Sequence, residues 1–327
     1  MLIVVEGVDG GGKSTYITQL LITYDRWCEA QRMPGDSIVL HKGPPEPDTD
    51  PFDEYELTLF KDYHHLITST TALVVCDRWH VGETIYGPRL RDHSRLDAGG
   101  IFHIELLLET LGAVRVLAQP RSSNVVFNRL KVRGDKLIKV EESLVHELHH
   151  EYERFAVWMP YWRADEYGVA EALTDAIHLA KDRNRWDSPT VCHPGWLGSP
   201  EPRVLLVGDV RNPRKEEHQD WLLPFTPHFK GSSSAYLMDA LTRTQISVEH
   251  LAIINAHEPG LNLYDVHRSL PPGCNVVALG TLASKSLANA GIEHINVGHP
   301  QWWNRFRHSD VAAYATKIRE AARGVQG

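Results

Sequence analysis

The sequence predicts an α/β protein of two domains, each a largely parallel sheet covered by helices. Three observations lead there. An apolar run opens the chain and passes directly into a glycine-rich loop and an apolar-periodic segment. Short continuous apolar runs then alternate with helical patterns, which is the pattern of βαβ units. After a proline-rich stretch the same alternation starts again.

The first strand is Leu2-Ile3-Val4-Val5-Glu6, and it delivers Gly7-Val8-Asp9-Gly10-Gly11-Gly12-Lys13-Ser14-Thr15. A strand before and a helix after are what a phosphate cradle needs, because the helix N-terminus receives the anion. Gly7, Gly10, Gly11 and Gly12 let the backbone turn its N–H groups inward around that anion. Lys13, read as a solvated loop lysine, reaches the β- and γ-phosphates, and Ser14 with Thr15 opens the helix and holds Mg²⁺. A ligand-free glycine turn has the same composition; the flanking strand and helix favour the cradle.

A helix over 13–32 ends near Pro34-Gly35, and Ser37-Ile38-Val39-Leu40-His41 forms a second strand. Gly43-Pro44-Pro45 breaks it, and Pro51 opens a helix over 52–69. Ala72-Leu73-Val74-Val75-Cys76 is continuously apolar, as a strand buried on both faces should be. Asp77-Arg78-Trp79 follows at its carboxyl end, where open parallel sheets bind their ligands. An acid there organises Mg²⁺ or a substrate hydroxyl, and Arg78 neutralises a transferring phosphoryl group; the competing reading is a surface ion pair. A strand over 114–118 and a helix over 140–157 complete the first half. His146, His149 and His150 share that helix, but neighbouring Glu147 and Glu151 mark a solvated polar face rather than a metal site.

Residues 183–202 contain four prolines and read as a linker. They separate a first domain, 1–182, from a second, 203–327. The second carries strands at 203–208, 251–255 and 275–280, and a helix around Leu237 and Leu241.

Composition narrows the class. Of the 327 residues, 42% are hydrophobic and 23% charged, as in soluble globular proteins. No apolar run is long enough to span a bilayer and no secretory signal stands out, so the expectation is a cytoplasmic protein with no membrane partner. Cys28, Cys76, Cys192 and Cys274 lack C-x-x-C spacing and read as reduced thiols. The net charge is −8. Residues 190–327 carry 13 Lys and Arg against 12 Asp and Glu, and the first 189 carry 21 against 30. A domain that grips DNA by its phosphates is usually basic, and neither half is.

The run from Glu6 to Thr15 resembles the thymidylate kinase family of P-loop kinases. Asp77-Arg78-Trp79 with Tyr86 downstream, and the lid-like Arg129-Leu130-Lys131-Val132-Arg133-Gly134-Asp135, extend the resemblance over residues 1–180. It implies transfer of the γ-phosphoryl group of ATP, with Mg²⁺ at Ser14 and Asp77, to a pyrimidine deoxynucleoside monophosphate such as dTMP, and it admits a homodimer. Asp9 would sit near the sugar 3′-hydroxyl and Arg78 near the phosphates. Arg129 would contact ATP, and Arg133 would close over the transferring group. Two positions depart from the family. Where it carries Arg-Glu-Pro-Gly-Gly, this chain has His41-Lys42-Gly43-Pro44-Pro45, so Lys42 replaces an arginine on the acceptor phosphate. Phe60 would stack on the base, but the arginine expected one turn later is His64.

In the second half, Asp209 after a strand, Phe225, Asn255 at a strand end and His299-Pro300 resemble, in this order, the motifs of the uracil-DNA glycosylase superfamily over 203–325. That implies a base pocket in which Phe225 stacks and Asn255 reads a pyrimidine edge, with DNA or a free nucleobase as partner. Arg211-Asn212-Pro213 and Gln301-Trp302-Trp303 depart from the superfamily, which leaves glycosidic cleavage open. Two further readings stand beside the nucleotide kinase. One is a kinase that phosphorylates a hydroxymethylated pyrimidine within DNA, as in viral DNA hypermodification of a bacteriophage. The other is a non-catalytic nucleotide sensor.

Overall fold

The computed structural model describes residues 1–43, 51–67, 69–134, 141–185, 196–209, 225, 232–258, 260–306 and 310–324. Among these residues it is α/β, with two five-stranded sheets. The chain divides into two compact units: Met1–Leu96 with Leu111–Arg185, and Asp97–Thr110 with Trp186–Gly327.

The first unit contains β1 (Leu2–Glu6), α1 (Lys13–Gln31), β2 (Asp36–His41), a π-type helix (Asp53–Asp62), α2 (His64–Ile67), β3 (Ala72–Asp77) and α3 (Val81–Leu90). After α4 (Ala98–Thr110), which belongs to the second unit, come β4 (Val114–Leu117), α5 (Ser123–Arg133), α6 (Glu142–Trp158), β5 (Trp162–Arg163) and α7 (Val169–Arg185). The strands run in the order β2-β3-β1-β4-β5, all parallel. One face of the sheet buries Ile3, Val5, Leu73, Val75, Val114 and Val116 against α1 and α7. Apolar residues occupy both faces of β1 and β3, so these strands lack the polar alternation of a half-exposed sheet. The helix expected over 52–69 is instead two pieces broken at Tyr63, whose φ of −121° and ψ of −1° leave the helical region.

The second unit adds β6 (Trp196–Gly198), β7 (Val204–Gly208), α8 (Ser233–Thr242), β8 (Leu251–Asn255), α9 (Leu263–Ser269), β9 (Asn275–Ala278), α10 (Thr281–Asn289), β10 (Ile295–Asn296), α11 (Pro300–Phe306) and α12 (Val311–Ala322). Its sheet runs β10-β9-β7-β8-β6, parallel except for β6 against β8. The stretch read as a linker therefore carries the end of α7 and an edge strand. That strand is anchored by buried Trp196, by its pairing with β8, and by the Gly198 N–H donated to Thr110 Oγ1 at 2.7 Å. Gly99 lets α4 approach α8 closely: a Cβ there would lie 3.1 Å from the Asp239 nitrogen.

Both sheets have a central strand, β1 or β7, at which the chain turns from filling one side to filling the other. The crevice at the carboxyl ends of the strands at such a point is where open α/β sheets bind ligands.

Candidate functional site

In the first unit, the ends of all five strands open into one cleft of about 800 Å³. Its walls include Asp9 to Thr15 after β1, His41 and Lys42 at β2, Asp77 and Arg78 at β3, Ala118 to Pro120 after β4, and Ala164 and Asp165 after β5. Arg129 and Arg133 of α5 complete it.

The glycine loop is shaped by close backbone approach. A Cβ on Gly7, whose φ is +143°, would lie 2.6 Å from the Ala118 carbonyl oxygen, and one on Gly11 would lie 2.7 Å from the same atom. No larger residue fits at either position. The loop hands over to α1 at Lys13, so free N–H groups and the positive end of a 19-residue helix face the cleft.

Lys13 is not the solvated lysine expected. It is 6% exposed, and its Nζ donates to the carbonyls of Gly7 at 2.6 Å and Val8 at 3.0 Å. Burial pushes its pKa down to about 8, although Asp77 and Glu6 pull it upward; nearby Arg133 adds to the lowering. Arg129 clasps the loop from outside, donating to the Gly11 carbonyl at 3.1 Å. Arg133 is exposed at the cleft rim.

On the other side, Arg78 forms an ion pair with Asp9 and lies 5.9 Å from the centre of the Tyr86 ring. The Tyr86 hydroxyl accepts the Asp9 N–H at 3.0 Å. Arg78 has φ of +66°, a left-handed backbone costing on the order of 1–3 kcal/mol in a non-glycine residue. Asp77 Oδ2 lies 2.9 Å from His41 Nδ1, while its buried Oδ1 has no hydrogen-bond partner among the described residues.

The expected residues are thus brought together unevenly. Asp9, Gly10, Gly11, Gly12, Lys13, Ser14, Thr15, Lys42, Asp77, Arg78, Arg129 and Arg133 line one cleft. Gly7 supports it from below, and Tyr86 enters through Asp9. Lys42 is engaged by Glu54 at 2.5 Å and lies 5.4 Å over the Trp79 ring, rather than free for a phosphate. His64 does not line the cleft, and the Phe60 side chain, like Asp135, lies outside the described residues.

Sequence reasoning missed Gln119. It is buried, accepts the Val8 N–H at 3.4 Å, and donates to the His149 carbonyl at 3.2 Å and to Glu153 at 2.9 Å. It therefore ties the glycine loop to α6. The available signal was its position just after an apolar strand, the same rule that singled out Asp77. His149, assigned to a solvated face, is instead buried against the Pro120 carbonyl at 2.7 Å, and His146 bonds Ser123.

In the second unit, three strand ends gather the four expected residues. A Cβ on Gly208 would lie 2.5 Å from the Phe225 ring and 2.6 Å from Asn255 Oδ1, so glycine makes room for both. Asn255 is buried and donates to Glu258 at 2.8 Å. Asp209 accepts the Ala283 N–H at the start of α10 at 2.7 Å, and its other oxygen is 3.9 Å from His299 Nε2. Burial pushes the His299 pKa down against the opposing pull of Asp209. Because His299 Nδ1 accepts the Gln301 N–H at 3.0 Å, the neutral ring carries its proton on Nε2, facing Asp209. Trp303 is a core residue bonded to the Val297 carbonyl, which accounts for one bulky position after His299-Pro300. Arg211, Asn212 and Pro213 lie outside the described residues, as does Cys192; Cys28, Cys76 and Cys274 are free thiols.

No family model and no curated protein matches the chain. Among solved structures it is similar to the YorR protein of Bacillus subtilis in complex with phosphorylated GDP, with 20% identity and a TM-score of 0.37, over 56% of this chain and 98% of that one. No helix among the described residues is long and apolar enough to cross a membrane.

The lowered pKa of Lys13 predicts a pH dependence. Its cationic form binds an anion, and a bound anion raises its pKa. Affinity is therefore full below pH 8 and falls as the pH rises through about 8, by up to about tenfold per unit. Calorimetric titration of inorganic tripolyphosphate between pH 7 and 9.5 should trace that fall, and Lys13→Met should flatten it. A flat wild-type profile would remove Lys13 from the anion site.

Proposed function

We propose that the first unit is a thymidylate-kinase-like phosphotransferase. It moves the γ-phosphoryl group of ATP to a pyrimidine deoxynucleoside monophosphate, dTMP or a modified analogue, while the second unit recognises a nucleobase. One observation carries the reading: the glycine loop with Lys13 and the Asp9–Arg78 pair, to which Tyr86 is bonded through the Asp9 N–H, line a single cleft.

An oxygen of the acceptor phosphate attacks the γ-phosphorus, and the bond to the β,γ-bridging oxygen breaks, leaving ADP with the electron pair. Such a transfer needs positioning and charge neutralisation more than covalent help. Loop N–H groups and Lys13 hold the donor phosphates; to release its two carbonyls, Lys13 exchanges them for phosphate oxygens. Arg129 fixes the loop, Arg133 stands at the rim where a lid charge belongs, and Arg78, oriented by Asp9, faces the acceptor side.

The oxygen donors fit Mg²⁺. Asp77 offers a buried oxygen without a hydrogen-bond partner among the described residues, and the Ser14 hydroxyl lies in the same cleft. No group of three or more His, Cys, Asp or Glu able to hold a metal occurs among the described residues. Phosphates and water would complete the shell, as is usual for this ion. When bound, Mg²⁺ supplies charge neutralisation at the phosphates.

Labelled ATP incubated in parallel with free pyrimidine deoxynucleoside monophosphates and with duplex DNA tests this. Label should move to the free monophosphate. Arg133→Ala should lower kcat more than it weakens ATP binding, and Lys13→Met should cost on the order of 10³-fold or more in kcat. Label entering DNA alone would establish the polymer kinase instead, and no transfer at all would leave a nucleotide sensor.

For the second unit, Phe225→Ala and Asn255→Ala should each weaken binding of dUMP or dTMP to the full chain. Stacking on an aromatic and a bidentate amide contact each contribute about 1–3 kcal/mol. Calorimetry on an Arg78→Ala background, which removes the acceptor-side cation of the first unit, keeps that cleft from dominating the signal. Unchanged affinity in both variants would remove the base-pocket reading, and release of uracil from uracil-containing DNA would make this unit a glycosylase.

A further inference from the structure

Glu6 is the last residue of β1 and is almost wholly buried, at 1% exposure. A leucine there would continue the apolar strand without burying a carboxyl group. Burial pushes the Glu6 carboxyl above its ordinary range, against the pull of His80, the Trp79 N–H, Lys13 and Arg78. What the carboxyl does is specific. Its Oε1 accepts the Trp79 N–H at 2.7 Å, and one residue earlier the Arg78 N–H is donated to the Val5 carbonyl at 3.0 Å. Consecutive residues of β1 therefore hold two successive N–H groups of the turn after β3. Between those anchors Arg78 adopts its left-handed backbone, with φ of +66°. That conformation sends the guanidinium to Asp9 and over the Tyr86 ring, and the Tyr86 hydroxyl returns to the Asp9 N–H.

We propose that Glu6 is the positioning residue of the acceptor side: by holding the Trp79 N–H it keeps Arg78 in the left-handed conformation that points its guanidinium at Asp9. This rests on the phosphotransfer reading. Glu6 touches no reactant and acts through the turn. Glutamine keeps an oxygen acceptor for Trp79, whereas alanine leaves that buried N–H unpaired and frees the turn to relax.

The test compares Glu6→Ala and Glu6→Gln with wild type, using ATP and dTMP, with ATP affinity measured separately by calorimetry. Glu6→Ala should lower kcat by about 10²-fold, the scale of a misplaced catalytic group, with ATP affinity within about threefold of wild type. Glu6→Gln should stay within about threefold in both. A purely structural role would instead lower the melting temperature and ATP affinity together. Wild-type kcat in Glu6→Ala overturns the inference. So does a fall of more than about tenfold in kcat for Glu6→Gln, which also decides the matter if the alanine variant does not fold. An inactive wild type removes the phosphotransfer reading and this inference with it, whereas an active wild type with unaffected variants removes only the inference.

Discussion

The contact on which the first unit depends is the approach of the glycine loop to one carbonyl oxygen, that of Ala118 just after β4. Side chains at Gly7 or Gly11 would strike that atom at 2.6 or 2.7 Å. Because they are absent, the loop folds tightly across the end of the sheet and delivers the start of α1 to the cleft. The same fold brings the Gly7 and Val8 carbonyls within reach of Lys13. Gln119, the next residue after Ala118, then bonds Val8 and connects the loop to α6. One steric constraint between β1 and β4 thus sets the shape of the loop, the position of the lysine and the link to the neighbouring helix.

Electrostatics in the cleft follow from pairing rather than net charge. The chain carries −8 overall, yet Lys13, Arg78, Arg129 and Arg133 converge on one cleft. Three of the four are held in place. Lys13 and Arg129 are bound to loop carbonyls, Arg78 to a carboxylate, and Arg133 is exposed at the rim. Groups already oriented need little reorganisation when a polyanion arrives, which is where fixed charges gain over solvent. The second unit is built on the same logic with fewer charges. Glycine at position 208 opens space between Phe225 and Asn255, and the start of α10 holds Asp209.

Much of this was legible in the sequence because it depends on local spacing. Strands β1, β3, β7, β8 and β9 lie within about two residues of their predicted bounds, since buried parallel strands are continuous apolar runs flanked by breaks. The glycine loop was legible for the same reason. What escaped depends on long-range packing. Helix α4 begins Ala-Gly-Gly and is buried from Gly99 to Leu108, so it has no polar face to mark its period. Strand β6 is three residues long and exists through its pairing with β8. Gln119, the contact of Glu6 with Trp79 and the burial of Lys13 and His149 were not legible, because partners more than 20 residues away or the fold of the loop itself create them. Lys42 lines the cleft, but its pairing with Glu54 could not be read from spacing.

The central claim is that the anion cradle and the Asp9–Arg78–Tyr86 side form one continuous two-nucleotide site. The most direct measurement is calorimetric affinity for adenosine joined through a polyphosphate bridge to thymidine, beside ADP and dTMP alone. If both halves bind in one cleft, the joined ligand should bind at least on the order of 10²-fold more tightly than the better of its parts, because the second half binds at high effective concentration. An affinity no greater than that of ADP would contradict the account and leave the acceptor side without its ligand.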